Sequence, residues 1–192
     1  MPLIERIDIV LALHSIPNAF TKVECELILK TVFEAPTDEA RLVGQKKDHG
    51  HRNSELVWVD EVAGLEWVME RLIDLVRGAN KDHFEFDLQE FAESPQVANY
   101  KASVGGHFSW HSDIGSSPTA ARRKLTLVLQ LTDGETYEGG NLEIMPGANI
   151  ITADRTQGHV AVFPSFALHQ VTSVTSGTRY SMTVWAHGPP FR

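Results

Sequence analysis

The sequence predicts an α+β fold that is mainly β, with helices first and then an all-β half that closes on itself as a sandwich or barrel. Two observations carry this. Apolar residues recur at helical spacing in "EVAGLEWVMERLIDLVRGAN", and after residue 95 the chain becomes a series of short β-rich runs separated by Gly, Pro, Asp and Ser. A third observation sets the domain count. The chain has 192 residues with no internal repeat and no low-complexity linker, which suits one domain with a full-sized core. Residues 1–192 are therefore read as a single domain, with 1–95 a helical buttress with lead-in strands and 96–192 the β core.

Taken in order, "IPNAFTKVECELILKTVFEAP" reads as a short strand or turn followed by a helix. Thr21 and Glu24 form a capping box, and Pro36 ends the segment. Residues 37–55 are polar and rich in turn formers, so a loop is expected there, followed by an edge strand "ELVWVD". In the second helix Leu65, Val68, Met69, Leu72, Leu75 and Val76 share one face, and the helix is expected to end at Gly78. The β half reads "QVANYKAS", "GHFSWHSD", "KLTLVLQLT", "GNLEIMP", "HVAVFPS", "HQVTSVTS" and "RYSMTVWAH". The helices are expected to pack outside the sheet and bury one of its faces.

Charge and cysteine content limit the function classes. The net charge is −8 and no Lys/Arg cluster is present, which argues against a nucleic-acid partner. A single cysteine, Cys25, excludes an internal disulfide and suits a reducing, cytoplasmic setting. No signal peptide or membrane span is read in the N-terminal segment.

The chemistry concentrates in "HFSWHSD". In a strand, residues two apart point to the same face, so His111 and Asp113 can converge on one metal ion. His107 is in register but sits roughly 13 Å further along a straight strand, too far to share that ion with Asp113. His107 is therefore set aside. A third ligand must come from elsewhere, and the candidates are His159, His169 and His187. His169 stands near the end of the apolar run "VAVFPSFALHQV", where a core strand would present it inward, and that favours it. Two histidines and one carboxylate make the facial triad of non-haem iron oxygenases, with coordination positions left open. A dicarboxylate cosubstrate bound to such a metal would bring a second carboxylate into the interior, where an unpaired charge is costly. Arg is the natural fork donor for it. Arg179 lies ten residues after His169, on the strand face it shares with Ser181, Thr183 and Trp185.

With these residues in place, the chain resembles the prolyl 4-hydroxylase-like branch of the Fe(II)/2-oxoglutarate dioxygenases, and within it the PKHD-type hydroxylases. The matching pieces are "NYKASVGGHFSWHSD", "RRKLTLVLQLTD", "YEGGNLEI" and "GHVAVFPSFALHQVTSVTSGTRYSMTVWAHGP". The resemblance implies a double-stranded β-helix (jelly-roll, cupin-like) core buttressed by the N-terminal helices. It implies Fe(II) held by His111, Asp113 and His169, and 2-oxoglutarate paired through its distal carboxylate with Arg179. It further implies that Tyr100 donates a hydrogen bond to that carboxylate, that Thr126 and Trp185 line the cosubstrate pocket, and that ascorbate serves as an optional reductant. Arg123 and Lys124 are expected as structural or rim charges. The expected reaction hydroxylates a peptidyl proline, a free amino acid or another small molecule with O2, releasing succinate and CO2. Asp113 occupies the position that a halogenase would leave open, so hydroxylation is expected over halogenation. The chain is expected to act as a monomer or homodimer. Substrate contacts are sought in His49–Ser54, in "IGSSPTAARR" and at Trp185. The alternative from another class is a jelly-roll metal-dependent binding module without redox chemistry.

Overall fold

The computed structural model describes residues 13–34, 50–59 and 62–191. The expected helix stop at Pro36, most of the loop before residue 55 and His49 lie outside these residues. In chain order the elements are β1 (His14–Ile16), α1 (Lys22–Glu34), β2 (Arg52–Asn53), β3 (Glu55–Trp58), α2 (Glu66–Ala79), β4 (Gln96–Lys101), β5 (His107–His111), β6 (Arg123–Gln130), β7 (Glu138–Gly139), β8 (Leu142–Met145), β9 (Ile151–Thr152), β10 (Val160–Pro164), β11 (Leu168–Val171), β12 (Val174–Ser176) and β13 (Thr178–His187).

α1 starts where the capping box places it. The Thr21 N–H donates to Glu24 Oε2 (2.8 Å) and the Glu24 N–H donates to Thr21 Oγ1 (3.2 Å). Cys25, Ile28 and Val32 form its buried stripe. α2 buries Val68, Leu72, Val76 and Ala79. It does not stop at Gly78. The helix continues to Ala79 and passes into a π-helical turn over Asn80–Phe84. The left-handed residue that ends the run is Glu85 (φ 54°), not a glycine. The Asn80 side chain fixes that exit by donating to the Phe86 carbonyl and accepting from the Phe86 N–H, both at 2.9 Å. A side chain six residues upstream thus does the terminating that the sequence assigns to Gly78. No helix among the described residues is long and apolar enough to cross a membrane.

The strands form a double-stranded β-helix. One sheet has the order β1-β10-β6-β13-β4-β3 and the other β2-β5-β11-β8-β9, with β12-β7 as a small third ladder. β3 lies at a sheet edge, as expected for "ELVWVD". The expected run "HQVTSVTS" is divided between β11 and β12, which pair with different partners. Strand alternation sorts the six-stranded sheet into two faces. Leu125, Leu127, Leu129, Val160, Val162, Met182 and Val184 point outward into a core shared with α1 and α2. Ala98, Tyr100, Val128, Ala161 and Phe163 point inward against Leu142, Ile144 and Val171 of the second sheet. The polar residues Thr126, Gln130, Arg179 and Ser181 share that inward parity and are all buried. The space between the sheets is therefore apolar in the middle and polar toward both ends.

Candidate metal centre and the cavity behind it

β5 and β11 run antiparallel, and their register puts His111 directly opposite His169. Two residues 58 positions apart in sequence become cross-strand neighbours with ring centroids 4.1 Å apart. Asp113 lies just past the end of β5, where its N–H donates to the Ser165 carbonyl (2.9 Å) and turns its carboxylate inward. His111 Nε2 is 3.7 Å from Asp113 Oδ1, and His169 Nε2 is 3.5 Å from Asp113 Oδ2. One donor atom from each of the three falls within 4.8 Å of the others.

Both imidazoles have their tautomer set by the backbone. His111 Nδ1 lies 2.7 Å from the Ser109 carbonyl and His169 Nδ1 3.0 Å from the Ala167 carbonyl, each two residues upstream. A carbonyl can only accept, so each Nδ1 carries the proton and each Nε2 lone pair is left for a metal. Phe108 stacks on His111 (3.5 Å between centroids), and Phe163 meets His169 edge-on (4.8 Å). Burial, then the neighbouring His169, lowers the His111 pKa to about 4, so the ring is neutral and able to ligate at neutral pH. Burial alone would raise the Asp113 carboxyl. His169, the Thr126 hydroxyl, His111 and Trp185 together outweigh it and hold Asp113 below the ordinary range.

Thr126 on β6 donates to Asp113 Oδ2 at 2.6 Å and contacts Ser165 Oγ at 3.0 Å. Its hydroxyl therefore serves the carboxylate, a role that comes in addition to the place in the cosubstrate pocket that the resemblance implies. Arg123 donates to the Asp113 carbonyl (3.0 Å) and forms a two-pronged pair with Glu93, with Nε at 2.6 Å from Oε2. Its guanidinium lies 4.1 Å above the Trp185 ring, so it is a structural charge, as expected. Lys124, also expected as such, lies over the Phe191 ring at 3.3 Å. The Trp185 indole N–H is buried on the Asp113 side, where it favours the ionised carboxylate without closing to a full hydrogen bond.

The other histidines are accounted for separately. His107 turns its Nδ1 to the Gly105 carbonyl (2.8 Å) and pairs across to Asn53, away from the triad. His187 Nδ1 accepts from the Ala92 N–H, so its Nε2 donates to Glu93 at 3.0 Å. His159 stands at the opposite end of β10 from the triad and is not brought to it.

Arg179 is 2% exposed. Its Nε donates to Gln130 Oε1 and its Nη1 to Ser181 Oγ, both at 3.2 Å. Both partners are neutral, and among the described residues no carboxylate pairs with this guanidinium. It faces a cavity between the sheets that is also lined by Val128, Gln130, Tyr137, Ala161 and His159. Tyr100 reaches Arg179 with its ring, 5.6 Å from the guanidinium carbon, while the phenol on the cavity wall is that of Tyr137. Gly140 makes the close packing here possible. It has φ 59°, and a Cβ would lie 2.8 Å from Val174 Cγ2 and 3.2 Å from both Arg179 Cδ and the Tyr137 ring.

Comparison with known proteins agrees with this geometry. The profile of the 2OG-Fe(II) oxygenase superfamily matches residues 95–187, which hold all three triad residues and Arg179. Over this stretch, just under half of its length, the chain is similar to the 2OG-Fe(II) oxygenase superfamily. Among its relatives is a PKHD-type hydroxylase of Synechococcus, 38% identical over 86 residues, or 44% of this chain and 38% of the relative. The chain thus matches under two fifths of that relative's length. A PKHD-type hydroxylase of Acinetobacter baylyi is 26% identical over 180 residues, covering 90% of this chain and 77% of the relative. A prolyl-4-hydroxylase of Pseudomonas putida superposes with a TM-score of 0.72 at 18% identity, covering 93% of this chain and 94% of its own, which shows the shared fold.

The superfamily implies Fe(II) and 2-oxoglutarate, and the residues present suit both. Two free Nε2 lone pairs and a carboxylate converge for the metal, and an uncompensated buried guanidinium faces inter-sheet space for an anion. Ser181 shares the Arg179 face read from the sequence, whereas Gln130 and Tyr137 are not picked out there. Gln130 carries a signal that was available, because it shares inward parity with Thr126 on β6. Tyr137 lies in the turn before β7 and carries no such periodic signal.

Proposed function

We propose that the protein is an Fe(II)- and 2-oxoglutarate-dependent dioxygenase that hydroxylates an unactivated C–H bond of a peptide or small-molecule substrate, with O2 consumed and succinate and CO2 released. The observation that carries this reading is the Arg179 guanidinium, buried between the sheets with no carboxylate paired to it among the described residues, in a fold that also brings the triad together. A buried cation held only by neutral groups is costly unless an anion joins it. A metal-dependent binding module would have no use for that arrangement. A dicarboxylate that also reaches the metal would use both ends of it.

Iron, when bound, would activate O2, the oxidant, with oxidative decarboxylation of 2-oxoglutarate supplying two of its four electrons and the substrate C–H bond the other two. The chain's own residues do the rest. His111, Asp113 and His169 offer three donors on one side of a metal and leave the other side open. Thr126 and the Ser109 and Ala167 carbonyls hold those donors in orientation. Arg179, steadied by Gln130 and Ser181, anchors the distal carboxylate and sets the cosubstrate's direction. Phe108 and Phe163 exclude water from the imidazoles. Trp185, whose N–H faces Asp113 and whose ring lies under the Arg123 guanidinium, helps hold the carboxylate ionised. Peptidyl proline is a substrate candidate because the Pseudomonas putida structure is a prolyl-4-hydroxylase, and free amino acids stand beside it.

The test is succinate formation and O2 consumption by the Fe(II)-loaded protein, with ascorbate as reductant, screened over amino acids and proline-containing peptides. Substrate-stimulated succinate is expected from the wild type and none from Asp113→Ala. No succinate and no O2 uptake under any of these conditions would overturn the proposal.

A further inference from the structure

Of the buried groups that the proposed reaction does not yet use, His159 stands out. It is 6% exposed, and its Nε2 is sealed from solvent with no hydrogen-bond partner among the described residues. A buried ring nitrogen left in this state is costly unless something absent from the protein alone completes it. The residue sits one position before β10 and is fixed there by its backbone. Its carbonyl accepts from the Gln130 N–H (2.9 Å), and its N–H donates to the Thr156 carbonyl (3.0 Å). Gly158 just before it has φ 83° and approaches the Phe20 carbonyl closely enough that no side chain would fit. His159 shares inward parity with Ala161, and both line the cavity onto which Arg179 faces.

Apart from apolar Val128, Leu142, Ala153 and Ala161, the walls of that cavity carry donors and one carboxylate. Tyr137 is 3% exposed, and its hydroxyl oxygen accepts from Gln130 Nε2 (3.1 Å), which leaves its proton to donate elsewhere. Arg155 lies 4.3 Å over the Tyr137 ring and clamps the Gly134 and Tyr137 carbonyls at 2.7 and 2.6 Å. The one carboxylate on the cavity lining, Asp154, is half exposed. It is engaged by the Thr156 N–H (2.7 Å), with its other oxygen 4.0 Å from His159 Nδ1. At 4.0 Å that oxygen is beyond hydrogen-bonding distance, so no bond holds the ring proton on Nδ1 and the sealed Nε2 edge is free to carry it.

We propose that His159 is a positioning residue for the cosubstrate, donating its Nε2–H to the distal carboxylate that Arg179 pairs with, so that this end of 2-oxoglutarate is held by an Arg–His–Tyr seat. The proposal rests on the dioxygenase reading above. It assigns to His159, which is not a metal ligand, a share in choosing a diacid over a monoacid.

The test uses two keto acids that differ only at the distal end, 2-oxoglutarate and 2-oxopentanoate, titrated calorimetrically into Mn(II)-loaded protein so that no turnover is needed. His159→Leu is expected to weaken 2-oxoglutarate roughly ten- to a hundredfold, the loss of one charge-assisted hydrogen bond, and to leave 2-oxopentanoate unchanged. His159→Gln, which keeps an N–H donor, is expected to recover most of that loss. A second measurement needs no variant. In Zn(II)-substituted wild type with 15N-labelled histidine, the His159 Nε2 resonance is expected to shift with 2-oxoglutarate and not with 2-oxopentanoate. Equal losses for the two acids, unchanged 2-oxoglutarate affinity in His159→Leu, or an unmoved resonance would each overturn the seat while leaving the dioxygenase reading intact. Failure of the wild type to bind 2-oxoglutarate at all would overturn both.

Discussion

Thr126→Val asks whether the metal carboxylate depends on the hydroxyl behind it. The two side chains have nearly the same shape, and Thr126 is fully buried, so the substitution removes one O–H and leaves the packing in place. The bond removed is short (2.6 Å) and goes to an ionised acceptor, Asp113 Oδ2. Such bonds contribute roughly 1.5–3 kcal/mol, and loss of a group that orients a metal ligand typically costs about 10–100-fold in metal affinity. Thr126→Val is therefore expected to weaken metal binding by roughly 10–100-fold, with Thr126→Ser close to wild type. Chelator competition with Mn(II) or Zn(II) reads the affinity, and far-UV circular dichroism checks the fold. Asp113 loses a bond that favours its charged form, so protons compete with the metal at higher pH. The pH of half-release is expected to move upward. An affinity within about twofold of wild type in a folded variant would refute the reasoning, since it would leave the 2.6 Å bond without consequence.

Three further outcomes are expected. Arg179→Met should lower 2-oxoglutarate affinity by at least about a hundredfold yet raise the melting temperature of the cosubstrate-free protein, because it removes an uncompensated buried charge; calorimetry and differential scanning fluorimetry test the two halves separately. Gly140→Ala places a Cβ against Arg179 Cδ and Tyr137 in a left-handed backbone, so it should weaken 2-oxoglutarate binding while leaving metal affinity near wild type. Glu93, paired with Arg123 and His187, has a pKa near 2 against an ordinary 4.5: burial opposes this, and the bonds to His187 and Arg123 overcome it. Its contribution is present above pH 4.5 and is lost as the pH falls toward 2, so the stability deficit of Glu93→Gln, roughly 2 kcal/mol at neutral pH, should shrink on acidification in urea titrations.

Much of the site was legible because it is local or periodic. His111 and Asp113 declare themselves by two-residue spacing, His169 by its place in an apolar strand, and Arg179 by the parity it shares with Ser181 and Trp185. The helix faces were legible for the same reason, since Val68, Leu72 and Val76 repeat at helical spacing. What was not legible depends on partners far along the chain. Nothing near Thr126 indicates that its hydroxyl will face Asp113, because that pairing follows from the β6–β10 register and the Ser165 turn. The sealed Nε2 of His159 and the placement of Tyr137 beside Gln130 likewise arise only once both sheets are assembled. Gly78 misled for the opposite reason. A local stop signal was overridden by Asn80, whose side chain closes on Phe86.

The central claim is that one dicarboxylate spans from the triad to Arg179. The most direct measurement is an anaerobic titration of the Fe(II)-loaded protein with 2-oxoglutarate, followed by visible absorption. A weak metal-to-ligand charge-transfer band should grow in saturably in the wild type, be absent in His169→Ala, and require far higher 2-oxoglutarate concentrations in Arg179→Met. No band in the wild type, or a band whose midpoint is the same with and without the Arg179 guanidinium, would contradict it.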